Sequence, residues 1–64
     1  MQIELNGRPL TTAARTLADL LAEQGFDAAS VATALEGTFV PRSLRDRVLT
    51  PGARVEVVSP MQGG

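Results

Sequence analysis

A chain of 64 residues makes one domain and leaves no room for a second. It contains no Cys, His, Tyr or Lys, so thiolate and imidazole metal ligands are missing, and so are the usual general bases and strong nucleophiles. The formal net charge of −1 comes from six arginines and seven carboxylates scattered singly, which gives neither a basic stripe for nucleic acid nor an acidic cluster for a hard cation.

These absences predict a protein that binds no metal or cofactor and does no chemistry by itself, with any catalyst supplied by a partner. Two phenylalanines are too few for a base-stacking platform. The opening MQIELNG is polar by its second residue, and no apolar run reaches signal-peptide or membrane-span length. A cytoplasmic protein without membrane contact is the expectation. A domain this short buries only about 60% of the surface its unfolded chain exposes, so its stability margin is thin.

Ile3 and Leu5 alternate with Gln2, Glu4 and Asn6, the period of a half-buried strand. Asn6-Gly7 follows as a hairpin signal, because both central turn positions need positive φ. Residues 8–13 then return as a second strand, with a loop running straight to the helix as the competing reading. Pro9 has no N–H and assigns that strand to an edge. A helix begins at Thr16, whose hydroxyl can take a backbone N–H, with Asp19 three residues on. Leu17, Leu20 and Leu21 form one apolar stripe, and Gly25 suits a left-handed C-terminal cap with Phe26 folding back beyond it.

Residues 31–35 read as a strand, Glu36-Gly37 as a tight turn, and Thr38-Phe39-Val40 as a short strand stopped by Pro41. Residues 43–47 predict one helical turn with Leu44 and Val48 facing inward. Pro51-Gly52 is a further turn signal. Arg54–Val58 closes the set as a strand with Val55 and Val57 on one face and Glu56 on the other. One helix packed on one face of a small mixed sheet of four or five strands, an α+β fold, buries that set. The first and last strands can then lie side by side and parallel at the sheet centre.

After Val58 the sequence reads Ser59-Pro60-Met61-Gln62-Gly63-Gly64. Pro60 ends the strand, and residues 60–64 are expected to form a flexible tail, since glycine has the largest backbone entropy. A Gly-Gly ending carries little weight alone, because many chains fray there. Directly after the last strand of such a domain it carries more. Lacking Cβ atoms, Gly63 and Gly64 can thread a narrow channel and present a carboxylate. That carboxylate is ionised at neutral pH and a poor electrophile until it is joined to AMP, after which sulfur can displace the nucleotide.

Four pieces of the chain resemble the ThiS family of sulfur carriers in thiamine thiazole synthesis: MQIELNG, Thr16–Leu21, Phe39-Val40-Pro41-Arg42-Ser43, and Val55–Val58 leading to Gln62-Gly63-Gly64. The Val-Pro-Arg step at its distance from Gly-Gly is the most specific. The resemblance covers essentially the whole length and implies a β-grasp, ubiquitin-like fold. It implies that an E1-like, ThiF-like adenylyltransferase uses ATP and magnesium to adenylate Gly64. Sulfur from cysteine, delivered by a cysteine desulfurase or a persulfide relay, then gives a thiocarboxylate that a ThiG-like thiazole synthase consumes. Gln62 and Gly63 would thread the partner's active site, and Met61 and Arg42 are candidate docking residues.

The chain departs from the family pattern at three places. Glu36 stands where Asn is frequent, which suggests a less regular hairpin. Arg45 stands near a usual aromatic position, and Ala53 replaces a usual Asp. Three other functions fit parts of the pattern: the small subunit of molybdopterin synthase, a ubiquitin-like modifier, and a β-grasp binding module without tail chemistry.

Overall fold

The alternation at the N-terminus and the Asn6-Gly7 signal build a hairpin of β1 (Gln2–Leu5) and β2 (Arg8–Thr11) in the computed structural model, which describes residues 1–59. Asn6 and Gly7 have φ of 51° and 81°, the left-handed pair that a two-residue hairpin turn requires. Pro9 lies opposite Glu4 on β2, which is an edge strand and tolerates the missing N–H. The loop alternative for this segment is thereby excluded.

Thr16 caps α1 (Leu17–Glu23), its hydroxyl accepting the Asp19 N–H at 3.1 Å. The other free N–H groups of the first turn are satisfied from afar: Leu17 donates to the Arg47 carbonyl at 3.1 Å and Ala18 to the Arg45 carbonyl at 2.8 Å. At the far end Gly25 has φ of 77°, its N–H reaches the Ala22 carbonyl, and the Phe26 N–H reaches that of Leu21. This double bond is the Schellman closure, and it folds Phe26 back against the core as its position suggested.

A second hairpin follows, β3 (Ala32–Leu35) and β4 (Thr38–Val40), and then β5 (Arg54–Val58). The sheet order is β2-β1-β5-β3-β4, with β1 and β5 parallel at its centre and the other pairings antiparallel. This is the β-grasp arrangement. Ile3, Val55, Val57, Thr33 and Val40 point from the sheet to Leu17, Leu20 and Leu21 of α1, and together with Ala14, Val31, Leu49 and Ala53 they form one buried core. None of the described residues covers the opposite sheet face.

Two expectations need correction here. The turn between β3 and β4 is as regular as the first: Glu36 and Gly37 have φ of 52° and 81°. Glu36 offsets part of its left-handed strain with its own carboxylate, which accepts the Arg54 N–H at 2.8 Å. The helical turn expected over 43–47 is a 3₁₀ turn at Arg42–Leu44 instead, and Leu44 and Val48 are exposed while Leu49 is buried. The chain after this turn runs extended beside α1, bridging Thr16 to Val48, and the Leu49 N–H meets the Arg15 carbonyl. An extended path alternates sides residue by residue, so turning Leu49 inward turns Val48 outward.

The same segment buries Arg45. Its guanidinium donates to the Ala28 carbonyl at 2.8 Å, the Val31 carbonyl at 2.7 Å and the Thr33 hydroxyl at 3.3 Å. Thr33 passes its own proton to the Val40 carbonyl at 2.8 Å, so the buried polar cluster is complete. Arg45 is therefore a structural tie between the 3₁₀ turn and the loop after α1. Near Ala53, the Ala53 N–H closes on the Thr50 carbonyl at 3.0 Å across Pro51-Gly52, with Gly52 at φ of 83°, an ordinary type II turn.

Candidate functional site

The residues singled out for chemistry, Gly64 with Gly63, Gln62 and Met61, lie outside the described residues, as does the whole segment 60–64 that was expected to be a tail. What the structure describes is the root from which they follow, the C-terminal end of β5. Val55 and Val57 anchor the strand in the core, while Arg54, Glu56 and Val58 take the open face. Alternation alone sets this division.

Both edges of β5 are occupied up to its last residues. On one side Thr33 stands opposite Val57 and Ala32 opposite Val58 in the antiparallel ladder with β3. On the other side the parallel ladder with β1 is short, pairing Glu4 with Arg54 and Leu5 with Val55. Where β1 turns away, the side chain of Asn6 takes over. Its Oδ1 accepts the Val57 N–H at 2.9 Å and its Nδ2 donates to the Val57 carbonyl at 3.1 Å. The residue read from sequence as a turn former thus also holds the end of the strand. The signal available was its side chain, which offers a donor and an acceptor where glycine offers neither.

Val40, Thr33 and Val57 form one row across the sheet. Arg42, two residues after Val40 and exposed, therefore lies at the same end of the sheet as Val58 and Ser59. The structure puts this docking candidate at the same end of the sheet as the last described residues of β5, with β3 between them; its companion Met61 is outside the described residues. The open face beside them carries two large exposed apolar side chains, Phe39 on β4 and Val58 on β5, with relative exposures of 65% and 62%. Ala32 and Ala34 of β3 lie between those strands on the same face. Sequence reasoning assigned neither Phe39 nor Val58 a role, although Val58 follows from the inward Val55 and Val57.

Elsewhere on that face Arg54 pairs with Glu4 at 3.5 Å, exposed on both sides and worth little to stability. Glu23, at the end of α1, holds the β2–α1 connection through the Thr12 hydroxyl and the Ala13 N–H. The Thr12 hydrogen bond, helped by those of Gln24 and Ala13, keeps its carboxyl below the usual 4.5. Among the described residues no group of three or more carboxylates is placed to hold a metal ion, and no helix is long and apolar enough to cross a membrane.

Comparison with known proteins agrees with this geometry. The ThiS family model matches residues 3–64. A sulfur carrier protein ThiS of Thermus thermophilus is 43% identical over 61 residues, covering 94% of this chain and 95% of its own length. The crystal structure of a thiamine biosynthesis protein (ThiS) from Geobacter metallireducens superposes with a TM-score of 0.84 at 29% identity, over 100% of both chains. A solution structure of a thiamine biosynthesis protein from that organism gives 0.82 at 28% identity, over 100% of this chain and 88% of the other. A mixed five-stranded sheet gripping one helix is shared at that level of likeness, and the chain belongs to the ThiS family of sulfur carrier proteins.

Proposed function

We propose that this chain carries sulfur for the thiazole ring of thiamine on the carboxylate of Gly64. A ThiF-like adenylyltransferase joins that carboxylate to AMP, releasing pyrophosphate from ATP. A persulfide sulfur, drawn from cysteine by a desulfurase, displaces AMP to give an acyl disulfide. A second thiol attacks the S–S bond, releasing the thiocarboxylate and forming a disulfide with the thiol that had carried the persulfide. A ThiG-like thiazole synthase takes the sulfur. ATP and magnesium belong to the adenylyltransferase, the carrier binds no cofactor, and the exchange takes place in the cytoplasm.

One observation supports this reading above the others: β5 is the central strand, held on one edge by its ladder with β3 up to Val58 and on the other by the Asn6 amide at Val57, and Gly64 follows six residues after its end. A domain held that firmly at the root suits a partner that must place one carbon against a nucleotide. The open face with Phe39 and Val58 continues from this root and is the surface we assign to the adenylyltransferase, with Arg42 at its margin. The two matched structures carry thiamine biosynthesis in their names, which favours the thiazole over the molybdopterin pathway.

The test is intact mass after incubation with adenylyltransferase, ATP, magnesium, desulfurase and cysteine. The mass should rise by the difference between sulfur and oxygen. Removing Gly64 draws the carboxylate back by ~3.5 Å of extended chain and should abolish the gain. Gly64→Val should abolish it too, because a β-branched side chain crowds the carbonyl. The core formed by the described residues runs from Ile3 to Val57, so circular dichroism should match the parent. A shortened chain that still accepts sulfur at the parent's rate would overturn the assignment.

A further inference from the structure

The parallel ladder between β1 and β5 stops early. Backbone bonds run from the Glu4 N–H to the Ala53 carbonyl at 2.8 Å and from the Asn6 N–H to the Val55 carbonyl at 2.9 Å. Beyond them β1 departs through the left-handed Asn6-Gly7 turn, while β5 continues to Val58. The next two groups on that edge of β5 are the N–H and carbonyl of Val57, and no main chain of β1 is left to meet them. The primary amide of Asn6 meets both, at 2.9 Å and 3.1 Å, across 51 positions of sequence. It imitates the peptide group of a strand that is no longer there.

We propose that Asn6 is a positioning residue for the delivery of Gly64, through its clasp on Val57. The inference rests on the carrier role of Gly64 and adds to it a fixed direction of departure. Without the amide, the last residues of β5 would be held on the β3 side alone, and the strand end could swing about that ladder. From Val57 to Gly64 an extended chain reaches at most ~25 Å, so a swing of ~10° at the root moves the far end by ~4 Å. Docking would keep its β4 part, because Phe39 and the Arg42 that follows β4 lie on the far side of β3 from the clasp, and only Val58 moves with the strand end. The cost would fall on the chemical step, which depends on alignment of the carboxylate with the nucleotide.

Asn6→Gly removes the clasp and keeps the left-handed turn, since glycine adopts positive φ without penalty. The expected result is a folded protein in which the Val57 amide exchanges faster with solvent. With the adenylyltransferase, kcat for loading should fall about tenfold while KM for the carrier stays within about twofold. A Leu21→Val variant, destabilised in the core, serves as control and should keep the parent's kcat at temperatures where it is folded. Asn6→Asp keeps the acceptor for the Val57 N–H but sets a carboxylate oxygen against the Val57 carbonyl, and its kcat should fall as well. Parent-like kcat in either folded Asn6 variant, or an equal fall in the Leu21→Val control, overturns the inference. Chains lacking Gly64, run alongside, separate the two levels. If they still load, the carrier reading fails and takes this inference with it. If they do not load and the Asn6 variants match the parent, only the positioning role falls.

Discussion

Replacing Arg45 by alanine removes three hydrogen bonds and the aliphatic stem that fills the space between the 3₁₀ turn and the loop after α1. The side chain is almost wholly buried, with the residue at 6% exposure. Of its three acceptors, the Ala28 carbonyl lies on an exposed residue and can turn to water, and the Thr33 hydroxyl keeps its bond to Val40. The Val31 carbonyl, bonded at 2.7 Å in a buried position, is left without a partner, a cost of about 1–3 kcal/mol. Loss of the stem adds about 1–2 kcal/mol of packing, and relief from desolvating the guanidinium returns part of the total. The net expectation is a loss of about 2–4 kcal/mol, which in a domain of this size lowers Tm by roughly 10–25 °C. Arg45→Met, which restores the stem but no donor, should recover about 1 kcal/mol of it. Arg45→Lys should stay well below the parent, because one ammonium cannot span three diverging acceptors. Urea unfolding followed by circular dichroism, with the slope m checked for constancy, measures each value. An Arg45→Ala midpoint equal to the parent's would refute the reasoning.

Other changes test other parts of the fold. Leu20→Ala empties a fully buried position under the sheet and should cost about 2–5 kcal/mol by the same urea measurement. Gly37→Ala meets no atom within 4 Å, so its expected loss of about 1–2 kcal/mol comes from the φ of 81° alone, and a neutral result would dismiss that origin. The Glu23 carboxyl titrates below 4.5 in the folded chain, chiefly through Thr12. Its contribution is therefore present above that pH and is lost as pH falls through the depressed folded value. Glu23→Gln should flatten this acid limb in urea midpoints taken between about pH 5 and pH 2, and an unchanged limb would assign the acid sensitivity elsewhere.

The elements that could be read from sequence are those with a period or a turn signature. Ile3/Leu5, Val55/Val57 and the leucine stripe carry their faces in their spacing, and Asn6-Gly7, Gly25 and Pro51-Gly52 announce their conformations. The segment 42–49 carries no such period, because a 3₁₀ turn gives way to extended chain within a few residues. A helical reading turns Leu44 and Val48 inward, whereas both face solvent. Arg45 was illegible for another reason. In Ser43-Leu44-Arg45-Asp46-Arg47 it reads as one more solvated charge, and its partners are carbonyls 14 and 17 positions away. Backbone acceptors leave no mark in a residue pattern. The Asn6 clasp was half legible: the turn is a local property, whereas the bond to Val57 exists only once the sheet is assembled. Gly64 was nominated by its place after β5, and that nomination is what the loading experiment tests.

The order of the strands has a consequence for how the molecule comes into being. Among the described residues β5 is the last strand in sequence and the middle one in the sheet, with the β1–β2 hairpin on one side and the β3–β4 hairpin on the other. Until Arg54–Val58 is available the two hairpins share no edge, and Leu17, Leu20 and Leu21 have no continuous surface to cover. A synthesis that halts before Arg54 leaves two isolated hairpins and a short helix, each marginal in water and open to proteolysis. Closing Glu4 against Arg54 joins chain segments from opposite ends, so the slow step of folding waits for the residues that lead directly to the tail. A cell that clears unfolded chains thereby clears those in which the carrier arm was never made.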